Sequence, residues 1–340
     1  MIQNNSERNA NNPRSGSKPG VFLIKLILDN FVWLLVALLL LVAFITTPSF
    51  FNSSNLVNIM TQSVVLAMLV LAETICLISG KFDMSIESTL IFSSVVAAWL
   101  MAPHPAASGL ELNGIVGVFA IIAIGGLVGV VNGFLIAYLK MNAFIATLAM
   151  SIFLLGSCVT ISQGNTLGPF PDSFTFFGEG SIGPIPAPIV VLAVVYLLFG
   201  FILKNTPFAR KLYAVGGNPL AAQASGVNVK RIVFIAYVLS GMIAAVGGLV
   251  LSGRMGSAVQ HMTRDNLMYA FAAAVIGGVS PFGGEGRILS VFGGLILLMT
   301  INKLLIIAHV DPFLITGASG LIIFIAMLIL TIKQNIVLED

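Results

Sequence analysis

Apolar runs of roughly twenty residues, separated by short polar or glycine-rich breaks, recur along the chain from residue 31 almost to its end. No soluble fold tolerates that pattern, because the polar residues are too few to cover it. Of 340 residues, 58% are hydrophobic and only 9% are charged. Mean hydropathy is +1.04, and such a composition points to a protein solvated by lipid. At about 20 residues per spanning helix, the apolar residues supply about ten spans and leave no room for a large soluble domain. A soluble enzyme, a nucleic-acid-binding protein and a secreted disulfide scaffold are thereby excluded. Energy for any transport has to come from a transmembrane gradient or from another polypeptide. Cys76 and Cys158 lie in separate apolar runs, so no disulfide is predicted.

The expected fold is an all-α polytopic membrane bundle. Residues 1–20, polar and rich in Asn, Ser, Gly and Pro, read as a disordered tail, and residues 21–335 as one transmembrane domain. Spans are predicted at about 31–47, 56–79, 84–101, 114–138, 142–163, 186–203, 231–251, 266–280, 288–307 and 312–332. The stretches 84–101 and 266–280 are short, and each is either a tilted span or a broken, partly re-entrant segment. Ten spans place both termini on one side. Basic residues choose that side: with the N-terminus inside, Arg8, Arg14, Lys18, Lys25, Lys81, Lys140, Lys204, Arg210, Lys211, Lys230, Arg231, Arg287 and Lys333 are cytoplasmic. Only Arg254, Arg264 and Lys303 then lie toward the outside, so the N-in, C-in orientation is expected. It leaves an outer loop at 164–185, rich in Gly, Pro and Phe, and a basic inner loop at 204–230. Gly125, Gly129 and Gly133 share one helix face and predict close backbone approach, either within the subunit or between subunits.

Catalytic chemistry finds no foothold. There is no phosphate-binding G-x-x-x-x-G-K-[ST] loop, and His104, His261 and His309 lack the partners of a catalytic zinc site. Gly317-Ala318-Ser319-Gly320 imitates an intramembrane serine protease motif, but no histidine follows to act as base. What remains is acidic: Glu73, Asp83 and Glu87 at membrane depth or its edge. A carboxylate inside a span is expensive, so Glu73 is either a pathway group or a protonated bridge between helices. Asp83, followed by Ser85, stands between the glycine break at Gly80 and a new helix, where it is expected to cap exposed amides.

The inner loop carries the most specific pattern. Phe208 to Pro219 leads into Leu220-Ala221-Ala222-Gln223-Ala224-Ser225-Gly226, a short helix opened by Asn218 and Pro219 and ended at Gly226, with small residues suited to a partner's groove. Ala221, Ala222 and Gly226 reproduce the A-A-x-x-x-G core by which bacterial ABC importer permeases engage their ATPase. With Ser79 to Glu87, Asn142 to Leu148, Ala214 to Asn218 and Gly277 to Arg287, the chain from residue 50 to 332 resembles the permease family of ribose-type sugar ABC importers, which includes the autoinducer-2 permeases. Lys81-Phe82, Glu87 and Asn266 to Phe271 depart from the family pattern, so no particular substrate carries over.

That resemblance implies a multi-pass subunit of the bacterial inner membrane that passes a monosaccharide or related small polar solute. It implies a second permease copy or a related one, a periplasmic binding protein that delivers the solute, and ATPase subunits that hold ATP and Mg²⁺. No cofactor is expected on this chain. The ATPase contact falls to Arg210, Gly216, Gly217, Asn218, Ala221, Ala222 and Gly226, and docking of the binding protein to Arg254 and Arg264. Glu73, Asp83, Ser85, Gly283 and Gly284 are candidates for the pathway or for breaks in its helices. An ion-coupled secondary transporter is the rival reading, since glycine-broken helices and acidic membrane residues are its usual signs. The weak echo between Ala143 to Thr147 and Pro312 to Thr316 suits either class. A non-transporting scaffold has nothing in its favour.

Overall fold

Asparagine and threonine side chains start many of the helices. In the computed structural model, which describes residues 31–263 and 266–311 with isolated positions as far as Leu328, Asn113, Asn142, Thr206, Asn218 and Asn228 each accept a hydrogen bond from a first-turn amide. The elements are α1 (Phe31–Thr46), α2 (Ser53–Ile78), α3 (Ile86–Met101), α4 (Gly114–Ala137), α5 (Ala143–Ser162) and α6 (Asp172–Glu179). A two-stranded hairpin follows, β1 (Ser181–Ile182) and β2 (Ile185–Pro186), with Ser181 opposite Pro186 and Ile182 opposite Ile185. Then come α7 (Ala187–Asn205), α8 (Pro207–Gly217), α9 (Pro219–Ala224), α10 (Val229–Met255), α11 (Asn266–Ile276) and α12 (Ile288–Ile307). The predicted tail at 1–20, most of the predicted span at 312–332 and Arg264 lie outside the described residues.

Among the described residues, α2, α4, α5, α7, α10 and α12 are long and apolar enough to cross a membrane. The shorter α1 and α3 have 16 residues each. At 11 residues, α11 rises about 16 Å, half the thickness of a hydrocarbon core. The stretch 266–280 is therefore broken: its helix stops at Ile276 and the remainder belongs to a glycine-rich loop. The 164–185 segment is more ordered than a simple loop, since α6 and the hairpin fold within it. Leu167 and Ala258 exchange backbone hydrogen bonds of 2.9 Å, which fastens this segment to the chain leaving α10.

Helix α2 is the centre of the bundle. Every residue from Ser63 to Ile78 is buried, as an all-round apolar sequence requires. Midway along it, the Tyr196 hydroxyl of α7 donates a hydrogen bond to the Ala67 carbonyl at 2.9 Å. Helices α4 and α10 meet backbone to backbone along the glycine stripe: Gly125 faces Gly241, Gly129 faces Tyr237 and Val238, and Gly133 faces Phe234. The stripe therefore packs within the subunit. The apolar faces of α5 and α7 stay exposed at Ile152, Phe153, Leu197 and Phe201, where lipid or another subunit has to cover them.

This packing makes a sharp contrast testable. A Cβ at Gly241 would lie 2.2 Å from the Gly125 carbonyl oxygen, whereas one at Gly156 on α5 meets nothing within 4 Å. Gly241→Ala is expected to cost about 1–3 kcal/mol, and Gly156→Ala about 0.5 kcal/mol or less, read from unfolding midpoints in detergent.

Candidate coupling surface and buried carboxylates

The segments Ser79 to Glu87, Asn142 to Leu148, Ala214 to Gly226 and Gly277 to Arg287 are dispersed over some two hundred residues of sequence, yet the fold brings them to one end of the bundle. The junction is built from glycine backbone. Gly216 is buried with its Cα face against the Ile78 carbonyl oxygen and the Gly284 amide. Gly283 packs on Gly80 and on the Gly216 carbonyl, and Gly284 packs on Gly217. The Gly284 amide donates to the Ile78 carbonyl at 3.0 Å, tying the loop to the last turn of α2. Gly80, Gly283 and Gly284 have φ of +73°, +98° and +78°, a backbone region where a side chain is strained. From α8, the Tyr213 hydroxyl donates to the Gly286 carbonyl at 2.7 Å. Burial raises the Tyr213 phenol above its ordinary range, against the lowering pull of Arg287, so it remains a neutral donor.

On the α2 side of this junction lies a buried polar cluster. Asp83 Oδ1 accepts from the Ser85 amide at 2.9 Å and from the Ser85 hydroxyl at 2.6 Å. Asn132 on α4 donates to Ser85 Oγ at 2.8 Å, and Tyr237 on α10 donates to the Phe82 carbonyl at 2.9 Å. The turn is fixed from the α5 side too, where the Met84 amide donates to Thr147 Oγ1 at 2.9 Å. Asp83 thus binds an amide just before α3, closing the turn that feeds the helix. Glu73 is wholly buried one turn back along α2 and receives no hydrogen bond of ordinary geometry, although the Asp83 amide lies near it. No lysine, arginine or histidine is paired with it among the described residues. Glu73→Gln preserves shape and removes the capacity for charge. It is expected to leave the fold intact and to change the rate or pH profile of solute uptake; unchanged uptake at every pH removes Glu73 from the mechanism.

The candidate contact residues of the 204–230 segment divide by exposure. Arg210, Gly217, Asn218, Ala221 and Gly226 are exposed, whereas Ala222 and Gly216 are turned into the protein. Gly216 is therefore a junction residue and not a surface for a partner. The expected helix opening at Asn218 and Pro219 is present as α9, with the Asn218 side chain accepting from the Ala221 amide at 2.9 Å. Gly226, at φ +82°, follows its end. Helix α8 was not anticipated, although Thr206-Pro207 has the same cap-plus-proline form as Asn218-Pro219. Arg254 is half-buried in the last turn of α10, about 40 Å along that helix from Asn228 and so at the opposite end of the bundle from α9.

Glu87 has a role that its position in the sequence does not suggest. From the first turn of α3 it crosses to the start of α11, where Oε1 accepts from the Thr263 hydroxyl at 3.0 Å and the Asn266 amide at 3.2 Å. Its Oε2 accepts from the Leu267 amide at 3.2 Å. A carboxylate against free N-terminal amides is favourable electrostatics, and here it anchors the start of a half-length helix.

These features define a membrane-embedded helical subunit with a compact apparatus at one end and no catalytic constellation among its described residues. The chain belongs to the family described as branched-chain amino acid transport system, permease component, whose model matches residues 55–337. It is 33% identical over 306 residues to the ribose import permease protein RbsC of Escherichia coli strain K12, covering 88% of this chain and 93% of that one. To the L-arabinose transport system permease protein AraH of the same strain it is 33% identical over 322 residues, covering 94% and 96%. To the galactose/methyl galactoside import permease protein MglC of Haemophilus influenzae it is 32% identical over 320 residues, covering 91% and 95%. No solved structure matches. The protein is thus a multi-pass permease of the inner membrane.

Proposed function

We propose that this chain is the translocating subunit of a bacterial ABC importer for a monosaccharide or a related small polar solute. The observation that carries the reading is the α8–α9 unit: a capped pair of short helices with exposed small residues, joined through glycine backbone to the last turn of the central helix. A partner that moves α9 would move α2. The sugar class rests on the relatives named for ribose, arabinose and galactose. In this reading ten spans run with both termini inside, two permease copies or related subunits frame one pathway, and ATP with Mg²⁺ is held by separate ATPase subunits. A periplasmic binding protein supplies affinity at the opposite end, near Arg254. Arg264 has the same proposed role.

The test is reconstitution of the permease with its ATPase and binding protein in proteoliposomes, offered a panel of labelled pentoses, hexoses and polyols. Uptake is expected to require ATP, to survive an ionophore and to follow the specificity of the binding protein. Uptake that collapses with the ionophore and persists without the ATPase identifies an ion-coupled transporter instead.

A further inference from the structure

Two apolar side chains stand out at the α9 end of the bundle. Leu220 on α9 and Phe282 in the 277–287 loop are each 79% exposed, the highest values among large apolar side chains of the described residues. The next, Leu197, Ile45, Phe119 and Leu289, lie on helices apolar along their length. Leu220 and Phe282 are instead on polar, glycine-rich segments beyond the ends of those helices.

The two are held on one rigid unit. Leu220 lies three residues after Gly217, and Phe282 two residues before Gly284, which packs on Gly217. At no more than about 3.5 Å of chain per residue, their backbones lie within roughly 20 Å of each other. That span fits inside one partner's footprint. Phe282 is also preorganised: its amide donates to Ser280 Oγ at 3.2 Å, the Gly283 amide donates to the Ser280 carbonyl at 3.1 Å, and the Ser280 amide donates to the Glu285 carbonyl at 3.2 Å. A loop pinned on both sides of an exposed phenyl ring loses little entropy when the ring is covered.

We propose that Phe282 is a second apolar anchor for the ATPase subunit, engaged together with Leu220, so that the partner grips α9 and the 277–287 loop at once. This rests on the ABC importer reading above. The partner surface it requires is an apolar groove that receives α9, continued by a pocket for an aromatic ring. A single anchor on α9 would let the short helix pivot. Two anchors on either side of the Gly217–Gly284 contact fix its orientation, so a displacement of the ATPase reaches the junction as a translation.

The experiment titrates the purified ATPase subunit of the system against detergent-solubilised permease: wild type, Leu220→Ala, Phe282→Ala and the double variant. Thermal midpoints of the isolated permeases check folding, and are expected to match because both side chains are exposed. Each single substitution is expected to weaken ATPase binding about tenfold, with a larger loss in the double variant. Wild-type affinity for Phe282→Ala, with loss confined to Leu220→Ala, overturns the second anchor and leaves the importer reading standing. Absence of any ATPase binding by wild type overturns both. A Phe282→Trp variant distinguishes the membrane as occupant: strong quenching of its fluorescence by brominated lipid in the assembled complex overturns the proposal, whereas protection from an aqueous quencher on adding ATPase supports it.

Discussion

Gly216→Ala is expected to abolish ATP-driven uptake and to lower the unfolding midpoint, whereas Gly217→Ala, one residue further on, is expected to leave that midpoint nearly unchanged. The added methyl at 216 would lie 1.8 Å from the Ile78 carbonyl oxygen and 2.5 Å from the Gly284 amide nitrogen. Those two atoms are hydrogen-bonded to each other, so the methyl group wedges open the bond that ties the loop to α2. Neither obstacle is a side chain able to rotate away, and relief requires α8, α2 or the loop to move as backbone. The cost is about 3 kcal/mol, the upper end for overpacking. At 217 the nearest atom, the Gly284 Cα, is 4.0 Å from the new carbon. Uptake in proteoliposomes and unfolding midpoints measure the contrast. Equal behaviour of the two variants would refute the junction as described.

Asp83→Ala is the second large effect. It removes the acceptor for both the amide and the hydroxyl of Ser85, and Ser85 in turn orients the Asn132 side chain. Each buried donor left unpaired costs about 1–3 kcal/mol, so the loss of two amounts to about 2–6 kcal/mol. Asp83→Asn retains an acceptor oxygen and is expected to recover most of the stability, which separates the hydrogen-bond role from the charge. Failure of Asp83→Ala to lower the unfolding midpoint would show that the turn into α3 does not depend on this side chain.

The helices were largely legible because each long apolar run has a single physical outcome in lipid: backbone groups satisfied within a helix. Helix starts were legible wherever a proline follows a capping residue, as at Asn218-Pro219, and Thr206-Pro207 announced α8 in the same code without being read. The 266–280 stretch was ambiguous because hydropathy does not distinguish a half-length helix from a tilted one. Its anchor, Glu87, is 179 residues from the amide it accepts, and no local pattern reports such a partner. Gly216 and Gly217 are alike in sequence, yet one is buried and the other exposed. A glycine has no side chain whose polarity would disclose which way it faces, so a motif-based reading sent both to the partner. The convergence of dispersed segments at one end of the bundle is likewise a property of tertiary packing alone.

The burial of α2 bears on how a stroke is delivered. Contacts at its C-terminal end run from main chain to main chain, with no long side chain in between to bend and absorb a displacement. A helix of 26 residues is stiff along its axis and, buried on every side from Ser63 to Ile78, has no lipid face into which to yield. Glu73 lies five residues from Ile78, about 7.5 Å along that axis. Under the importer reading proposed above, a displacement at α8 would therefore reach the end of α2, next to the turn that holds Asp83, through main-chain contacts and without a flexible side chain in the path.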